Sequence, residues 1–322
     1  MPAHKHCGMN GFAELDKFDV YAGDGHYIST STHEKPVQGK KRAPGNFYTL
    51  NMRTHAMTFL TGSELQNGMK KSEHDMHALK RIGGKALRQG AKTGRKVLYV
   101  WDPAGIDSNQ WQYWKKQNGV YFLSRVKESM RLVEYKKMDW DAEDPANAGV
   151  QSDTQVQLVS TTVPLRYIVY RCPDTGTEYE YLTSEMNIRP GVLAWLYKRR
   201  WDIEKTYDTF KNKLGQTKAW GESANSKAMQ AQFICLAHNL MVLMEESVDI
   251  RDEKETRRSA LRIELAKDKA SKNGRKFAPQ YHNAEKRSQF AAKFIRWLRY
   301  HLNVNSIIAD AINDLRRIYA MF

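Results

Sequence analysis

The sequence contains few cysteines and lacks a long uninterrupted run of apolar residues. Its three cysteines, Cys7, Cys172 and Cys235, are far apart and show no Cys-x-x-Cys spacing, so neither a disulfide framework nor a zinc knuckle is indicated. The longest apolar stretch, residues 233–244, is interrupted by polar residues and is too short to cross a bilayer. The N-terminal residues show no apolar core of a signal peptide. These absences favour a cytoplasmic protein.

The composition is that of a folded protein with a large positive charge. Apolar residues make up 41% of the 322 residues and charged residues 27%, which is typical of a folded chain rather than a disordered one. The length suffices for one large α/β core with an insertion, or for two ordinary domains. Because 51 Lys and Arg exceed 36 Asp and Glu, the net charge is +15, and a polyanionic partner is predicted. Nucleic acid is the first candidate and an anionic membrane surface the second.

The first part of the chain predicts antiparallel strands. Residues 19–28 and 46–60 are rich in Tyr, Val, Phe and Thr, and Pro44-Gly45 lies between them, which indicates strands that open a sheet. A polar stretch with Lys and Leu over residues 72–89 predicts a helix that follows them.

A strand, a helix and a second strand come next. The apolar run 96–101 predicts a buried central strand that ends at Asp102. Ser108 is the predicted N-cap of a short helix over 109–117, and residues 120–126 predict the following strand. This order indicates a crossover unit with two parallel strands.

Residues 128–190 differ in character from the segments on either side. Val, Thr and Tyr alternate there with polar residues, and a Pro-Asp-Thr-Gly turn separates the runs, so a β-rich insertion is predicted. The segment holds six Lys and Arg against eleven Asp and Glu. The basic surface that a polyanion would contact therefore lies outside the insertion.

From Pro190 onward the sequence predicts helices. Pro190 is expected to start a long helix that reaches about Leu214. Further helices are predicted over residues 225–246, 259–272, 284–299 and 306–321. We therefore divide the chain into a first part of the α/β core, the β-rich insertion, the last part of the core and a helical C-terminal region, over residues 1–127, 128–190, 191–245 and 246–322.

The predicted helix after Pro190 carries four polar residues on one side. At about 100° per residue, Tyr197, Arg200, Glu204 and Lys211 share a stripe roughly 60° wide. An apolar stripe lies beside it, which predicts a helix that packs on a sheet and presents Glu204 at the boundary. The alternative is a solvent-facing helix with ordinary charge pairs.

The spacing Y-x2-R-x3-E-x6-K, which residues 197–211 meet in every position, resembles the signature of the insertion-sequence family four transposases, enzymes with a DDE triad of catalytic acids. Gly23-Asp24-Gly25 on the first strand and Trp101-Asp102 after the central strand also stand where these enzymes carry their first two acids. The resemblance covers roughly residues 15–245. It implies an α/β fold of the ribonuclease H-like type, with a mixed sheet, a β-rich insertion before the last catalytic helix and a helical C-terminal region.

The resemblance implies that Asp24, Asp102 and Glu204 are the catalytic acids and bind two Mg²⁺ ions, for which Mn²⁺ can substitute. Hard cations prefer carboxylates, and two of them together can activate an oxygen nucleophile and stabilise a leaving oxygen. The first strand and the parallel strand after the first helix are neighbours in such a sheet, so Asp24 and Asp102 are expected to approach each other, with Asp24 bridging both ions. The alternatives are that Asp24 is a turn residue beside glycine, that Asp102 before Pro103 only begins a turn, and that Asp107 is the second acid.

The resemblance also implies that Tyr197, Arg200 and Lys211 bind phosphates of the transposon end, Arg and Lys through charge and Tyr through its hydroxyl group. The expected partners are DNA, as transposon ends and target, and a second protomer in a homodimeric synaptic complex. Trp140 is a candidate for stacking on an extruded base, and the alternative is a buried structural tryptophan.

The function predicted first is that of a cut-and-paste transposase, which cleaves DNA strands and transfers the freed 3′ end to target DNA at one two-metal site. The alternatives are a ribonuclease H-like nuclease without strand transfer and a non-catalytic DNA-binding remnant. Such transposases usually carry a helical end-recognition domain before the first catalytic strand, whereas only about twenty residues precede it here. We therefore expect a truncated copy, a fragment that starts at an internal Met or one half of a split reading frame. His26 stands where a small hydroxyl residue is expected.

Overall fold

The computed structural model describes residues 8–36, 39, 43, 45–64, 73–159, 161, 163–247, 253–272, 274, 290–305 and 307–320. Nine strands in these ranges form one mixed sheet. They are β1 Phe18–Tyr27, β2 Gly45–Asn51, β3 Met57–Gly62, β4 Lys96–Val100, β5 Val120–Arg125, β6 Leu132–Lys137, β7 Val150–Leu158, β8 Leu165–Arg171 and β9 Glu178–Thr183. The helices are α1 Asp75–Ala86, α2 Ser108–Asn118, α3 Pro190–Arg199, α4 Trp201–Asn212, α5 Ala224–Ser247, α6 Glu253–Lys272, α7 Phe290–Asn303 and α8 Ile308–Ala320.

The sheet has the strand order β3-β2-β1-β4-β5-β9-β8-β7-β6. Strands β1, β4 and β5 are parallel to one another, whereas β2, β3 and β9 pair antiparallel to their neighbours. Because α2 connects β4 to β5, these strands form the crossover unit that the sequence predicts. Three antiparallel strands followed by two parallel ones form a ribonuclease H-like sheet, so the predicted α/β class is confirmed.

The predicted strand segment 46–60 is wrong in its middle, because two strands lie there. Strand β2 ends at Asn51, whose side chain accepts hydrogen bonds from the backbone N–H groups of Arg53 (2.9 Å) and Thr54 (3.0 Å). Such an Asx turn reverses the chain, and β3 then pairs antiparallel with β2.

The predicted cap of α2 is displaced by one residue. Asp107, not Ser108, has the extended backbone of an N-cap and accepts a hydrogen bond from the N–H of Gln110 at 3.1 Å. Ser108 is the first residue of the helix. Both residue types cap helices well, so the backbone conformation at residue 107 decides between them.

Apolar side chains alternate between the two faces of the sheet and fill a core on each side. Val20 and Leu98 belong to the core under α3, α4 and α5. Tyr21, Tyr99 and Trp101 belong to the core under α1 and α2. This period of two is the reason why adjacent residues of β1 and β4 serve different layers.

The long helix predicted from Pro190 to about Leu214 is two helices, α3 and α4. Arg200 lies between them with helical backbone angles (φ −51°, ψ −35°). The predicted stripe survives the interruption, because the Arg200 guanidinium lies 5.9 Å from the centre of the Tyr197 ring and 2.7 Å from Glu204 Oε1.

Strands β6 to β9 continue the sheet, since β9 pairs with β5. A buried ion pair anchors them: Arg166 on β8 donates from Nε to Asp153 Oδ1 on β7 at 2.8 Å. The same guanidinium donates to the carbonyl of Ile188 at 2.6 Å, just before α3 begins. The side chains of Arg166 and Asp153 are 3% and 0% exposed, so the pair joins these strands to the segment that leads into α3.

Removal of the Asp153 carboxylate is expected to destabilise the protein strongly. Asp153→Ala leaves the Arg166 guanidinium buried without its counter-charge, which costs about 3–5 kcal/mol of unfolding free energy, measurable by urea denaturation. Glu178→Ala is the matched control, because it breaks the exposed pair of Arg171 and Glu178 and should cost less than about 1 kcal/mol. Similar small losses in both variants would contradict the anchoring role.

The four helices predicted after residue 225 correspond to α5, α6, α7 and α8, although α6 begins at Glu253 rather than Ser259. Residues 284–289, 306 and 321 of the predicted helices lie outside the described residues. Within the ranges that the structure describes, no helix combines the length and apolar character needed to span a bilayer.

Candidate active site

Asp24 and Asp102 lie side by side at the same end of two parallel strands. The last pair in the register of β1 and β4 is Ala22 with Val100. Asp24 lies two positions after Ala22, and Asp102 lies two positions after Val100. Neighbouring strands are about 4.8 Å apart, and side chains two residues apart point to the same face. Both carboxylates therefore project near each other, on the face that α3 and α4 cover.

Glu204 comes to the same place from helix α4, and Arg200 connects it to Asp24. Arg200 Nη2 donates to Glu204 Oε1 at 2.7 Å, while Nη1 lies 3.8 Å from Asp24 Oδ2. The Arg200 side chain is only 13% exposed, compared with 21% for Asp24 and 29% for Glu204. One guanidinium thus holds two of the three predicted acids together.

Tyr207 fixes α4 against the strand that bears Asp24. Its hydroxyl group donates to the Asp24 carbonyl at 2.9 Å. Its ring stacks on His26, with 4.5 Å between the ring centres. The residue that departs from the expected small hydroxyl side chain, His26, is therefore part of the contact between β1 and α4.

The surroundings of Asp24 oppose its ionisation. The pKa of Asp24 is raised from 3.8 to about 7, chiefly by burial and to a smaller extent by the charges of Asp102 and Asp75, although Arg200 and the N–H of Gly25 act to lower it. A carboxyl group with such a pKa is held in an acidic, poorly solvated place. Perturbed pKa values of this kind are typical of functional sites.

Asp107, the alternative second acid, has other partners. It caps α2, and Lys80 donates a hydrogen bond to its Oδ2 at 2.6 Å. Burial acts to raise the pKa of Asp107, but the bonds from Lys80 and from the N–H of Gln110 outweigh it and lower the pKa. Asp102 also caps a short 3-10 helix, since its Oδ1 accepts a hydrogen bond from the N–H of Ala104 at 2.9 Å, but its charge, like that of Asp75, helps to raise the pKa of Asp24.

The predicted DNA contacts lie along the same side of α3 and α4. Tyr197 packs on Tyr181, with 5.1 Å between the ring centres, and receives the guanidinium of Arg200 on its ring. Lys211 is exposed, and its charge helps burial to lower the pKa of His26 to about 4. Lys211 is therefore close to His26, which follows Asp24 by two positions on β1.

Trp140 lies between β6 and β7 and is partly exposed. No described contact decides between base stacking and a structural role, and its stacking role stays a prediction.

The donor set suits a hard divalent cation. Among the residues that the structure describes, no three His, Cys, Asp or Glu side chains are close enough to coordinate one ion as they stand. The acids are nevertheless all oxygen donors, as Mg²⁺ requires. Burial is the main cause of the raised pKa of Asp24, and the charges of Asp102 and Asp75 add to it; a cation would relieve this repulsion.

Three residues close to the acids were not singled out from the sequence as parts of the site. They are Asp75, Trp101 and Tyr207, and each contacts the acid-bearing segments through long-range packing. Tyr207 follows Glu204 by three positions on the inner side of the same helix, so helical spacing alone could have indicated it. Asp75 carries no comparable local signal.

A family model described as the transposase DDE domain matches residues 14–240. The matched range begins just before β1, ends within α5 and includes Asp24, Asp102 and Glu204. The comparison with curated proteins found no match. Because the family match covers well over half of a chain whose sheet is ribonuclease H-like, the chain belongs to the transposase DDE domain family.

Proposed function

We propose that this chain is a transposase of the insertion-sequence family four type, which cleaves and rejoins DNA by a cut-and-paste mechanism. The proposal is supported by the position of Arg200 between Asp24 and Glu204 and by the position of Asp102 just after the strand that pairs with the strand of Asp24. These residues belong to β1, the end of β4 and α4, so the sheet and one helix together assemble the site.

Asp24, Asp102 and Glu204 are the proposed ligands of two Mg²⁺ or Mn²⁺ ions, with Asp24 shared between them. When bound, the ion pair supplies the Lewis acidity that phosphodiester hydrolysis and transesterification need. The pairing of β1 with β4 and the bond from the Tyr207 hydroxyl group to the Asp24 carbonyl, which joins α4 to β1, support this set of ligands.

Arg200 has two proposed roles in succession. In the structure its guanidinium neutralises Asp24 and Glu204. With a divalent metal held by the acids, the Arg200 guanidinium would be available to bind a DNA phosphate, a bidentate acceptor that suits Arg. Tyr197 supports this side chain through its ring, and its hydroxyl group is a second proposed phosphate contact.

Lys211 is expected to bind DNA through charge alone. Lys211→Ala should weaken binding to any DNA sequence and reduce the slope of log affinity against log salt by about one, as measured by fluorescence anisotropy. Lys205→Ala is the control, because Lys205 is exposed on another side of the same helix and pairs with Asp202 at 2.9 Å. Equal losses of DNA affinity in the two variants would contradict a DNA-binding surface on the side of α4 that carries Lys211.

The test of the function compares cleavage with joining. The protein is incubated with Mg²⁺ and two DNA substrates, an intact duplex bearing the terminal inverted repeats and the same end already cut to a free 3′ hydroxyl. A transposase nicks the first and joins the second to a target plasmid. Nicking without joining would indicate the nuclease, and DNA binding without either reaction would indicate the remnant.

The active complex is proposed to be a homodimer. Helix α5 supports this through an exposed apolar face with alternating spacings of four and three residues, which is typical of helices that pair. Its members are Met229, Phe233, Leu236, Leu240 and Leu243, each 42–52% exposed. Light scattering of the complex with transposon ends tests the pairing, and one protomer per complex would contradict it.

We also propose that residues 1–127 and 191–245 form the catalytic core, that 128–190 are an insertion into it, and that 246–322 are a separate helical region. Helix α5 packs on β3 and ends near this last boundary, which supports the division. A chain that stops at residue 245 should retain one cooperative unfolding transition close to that of the full protein. Loss of that transition would contradict the boundary.

A further inference from the structure

We propose that Asp75 is a positioning residue of the active site, which fixes the indole ring of Trp101 and through it the relative placement of the strands that carry Asp24 and Asp102. The inference rests on the proposed function. It concerns the face of the sheet opposite the acids, where α1 packs.

Trp101 belongs to the segment that carries Asp102, and its ring packs tightly against Gly23 in the segment that carries Asp24. It is the residue before Asp102 and follows Val100, whose partner in the register of β1 and β4 is Ala22, just as Gly23 follows Ala22 and precedes Asp24. A Cβ atom on Gly23 would lie 2.0 Å from Trp101 Cε3, and one on Gly105 would lie 2.4 Å from Trp101 Cδ1. Both glycines are thus required by the ring, because a larger residue at either position would collide with it. The Trp101 side chain is buried, with 1% of the residue exposed.

Asp75 holds this ring by its one polar atom. Trp101 Nε1 donates to Asp75 Oδ2 at 3.1 Å. A buried indole N–H needs an acceptor, and without one the ring has no directional contact that selects its orientation. Asp75 itself is the first residue of α1, and the His74 side chain accepts from the N–H of Met76 to begin that helix.

Asp75 acts from behind the acids rather than among them. Side chains alternate along a strand, so Gly23 and Trp101 face α1 while Asp24 and Asp102 face α4. Burial raises the pKa of Asp75, and the charge of Asp102 raises it further, although the bond from Trp101 opposes both. The carboxyl group is therefore close to the acids, yet its hydrogen bond is made to Trp101.

Two conservative variants separate positioning from charge. Asp75→Asn keeps a side-chain oxygen at the same distance and removes the charge, whereas Asp75→Glu keeps the charge and moves the acceptor by one methylene group. The readouts are Mn²⁺ affinity of the DNA-free protein by electron paramagnetic resonance and the Mg²⁺ concentration for half-maximal cleavage. Thermal unfolding checks that each variant is folded.

If Asp75 positions the site through Trp101, Asp75→Asn stays within about threefold of wild type in both readouts, and Asp75→Glu weakens both about tenfold or more, as residues behind metal ligands do. Trp101→Phe, which lacks the N–H, should weaken both in the same way. The reverse order, with Asp75→Asn impaired and Asp75→Glu normal, would overturn positioning in favour of charge. Normal values in all three variants would also overturn it.

Asp24→Ala separates this inference from the proposed function. If the wild type binds Mn²⁺ and cleaves DNA, Asp24→Ala does neither, and the Asp75 variants behave as wild type, only the positioning role is overturned. If the wild type neither binds Mn²⁺ nor cleaves DNA, or if Asp24→Ala matches it, the proposed function fails, and the positioning role fails with it.

Discussion

Replacing Asp24, Asp102 or Glu204 with the corresponding amide is expected to reduce Mg²⁺-dependent DNA cleavage by about a thousandfold or more. Each substitution removes a negative ligand from ions that contribute several kcal/mol of transition-state stabilisation. The rate is measured in single turnover on an end-labelled duplex. DNA binding should persist in all three variants, because the basic residues remain.

Asp107→Asn is the matched control for this experiment. Asp107 also follows β4 and is also an acid, but it caps α2 and pairs with Lys80. We expect it to retain cleavage with at most a modest loss of stability. Loss of cleavage in Asp107→Asn together with retention in Asp102→Asn would show that the second acid is assigned to the wrong residue.

Asp24→Asn is also expected to make the metal-free protein more stable at about pH 8, where the wild-type carboxyl group must ionise in the folded state. Its pKa is about 7 when folded against 3.8 as the ordinary value. At 1.36 kcal/mol for each pH unit between the two pKa values, the gain is on the order of 4 kcal/mol. Urea unfolding in the presence of a chelator measures it.

The sign of the pH dependence follows from the same pair of values. Between about pH 4 and pH 7 the unfolded chain releases the Asp24 proton while the folded chain retains it, so the wild type loses stability relative to Asp24→Asn as the pH rises. The pKa of His26 is lowered to about 4, so its contribution to the stability of the protein is lost as the pH falls, which is the opposite dependence. His26 is present in both proteins, so the difference between them isolates Asp24.

Asp208→Asn provides the comparison for stability, because Asp208 is exposed on α4 and its replacement should change little. Mg²⁺ should stabilise the wild type and not Asp24→Asn, since an ion that binds only the folded state raises the free energy of unfolding. If the Asp24→Asn protein is less stable than the wild type at about pH 8, the ionised Asp24 carboxylate does not destabilise the metal-free folded protein, and the prediction is contradicted.

The elements that carry the site could be predicted from the sequence because their signals are local. The run 96–101 and its end at Asp102 predicted β4, and helical spacing placed Tyr197, Arg200 and Glu204 on one side. Periods of two and 3.6 residues are properties of near neighbours in the chain. Local errors occurred where a side chain made a turn, as Asn51 does between β2 and β3.

By itself the sequence determined the order and the approximate extent of most strands and helices, the positions of the three predicted acids along them, and which basic residues accompany Glu204. The tertiary structure alone decided that Asp24 and Asp102 each lie two positions beyond the paired residues Ala22 and Val100, that Arg200 pairs with both Asp24 and Glu204, and that Asp75 receives the hydrogen bond of Trp101. The physical reason is that strand register and helix packing join residues far apart in the chain, and no local propensity specifies which of them meet.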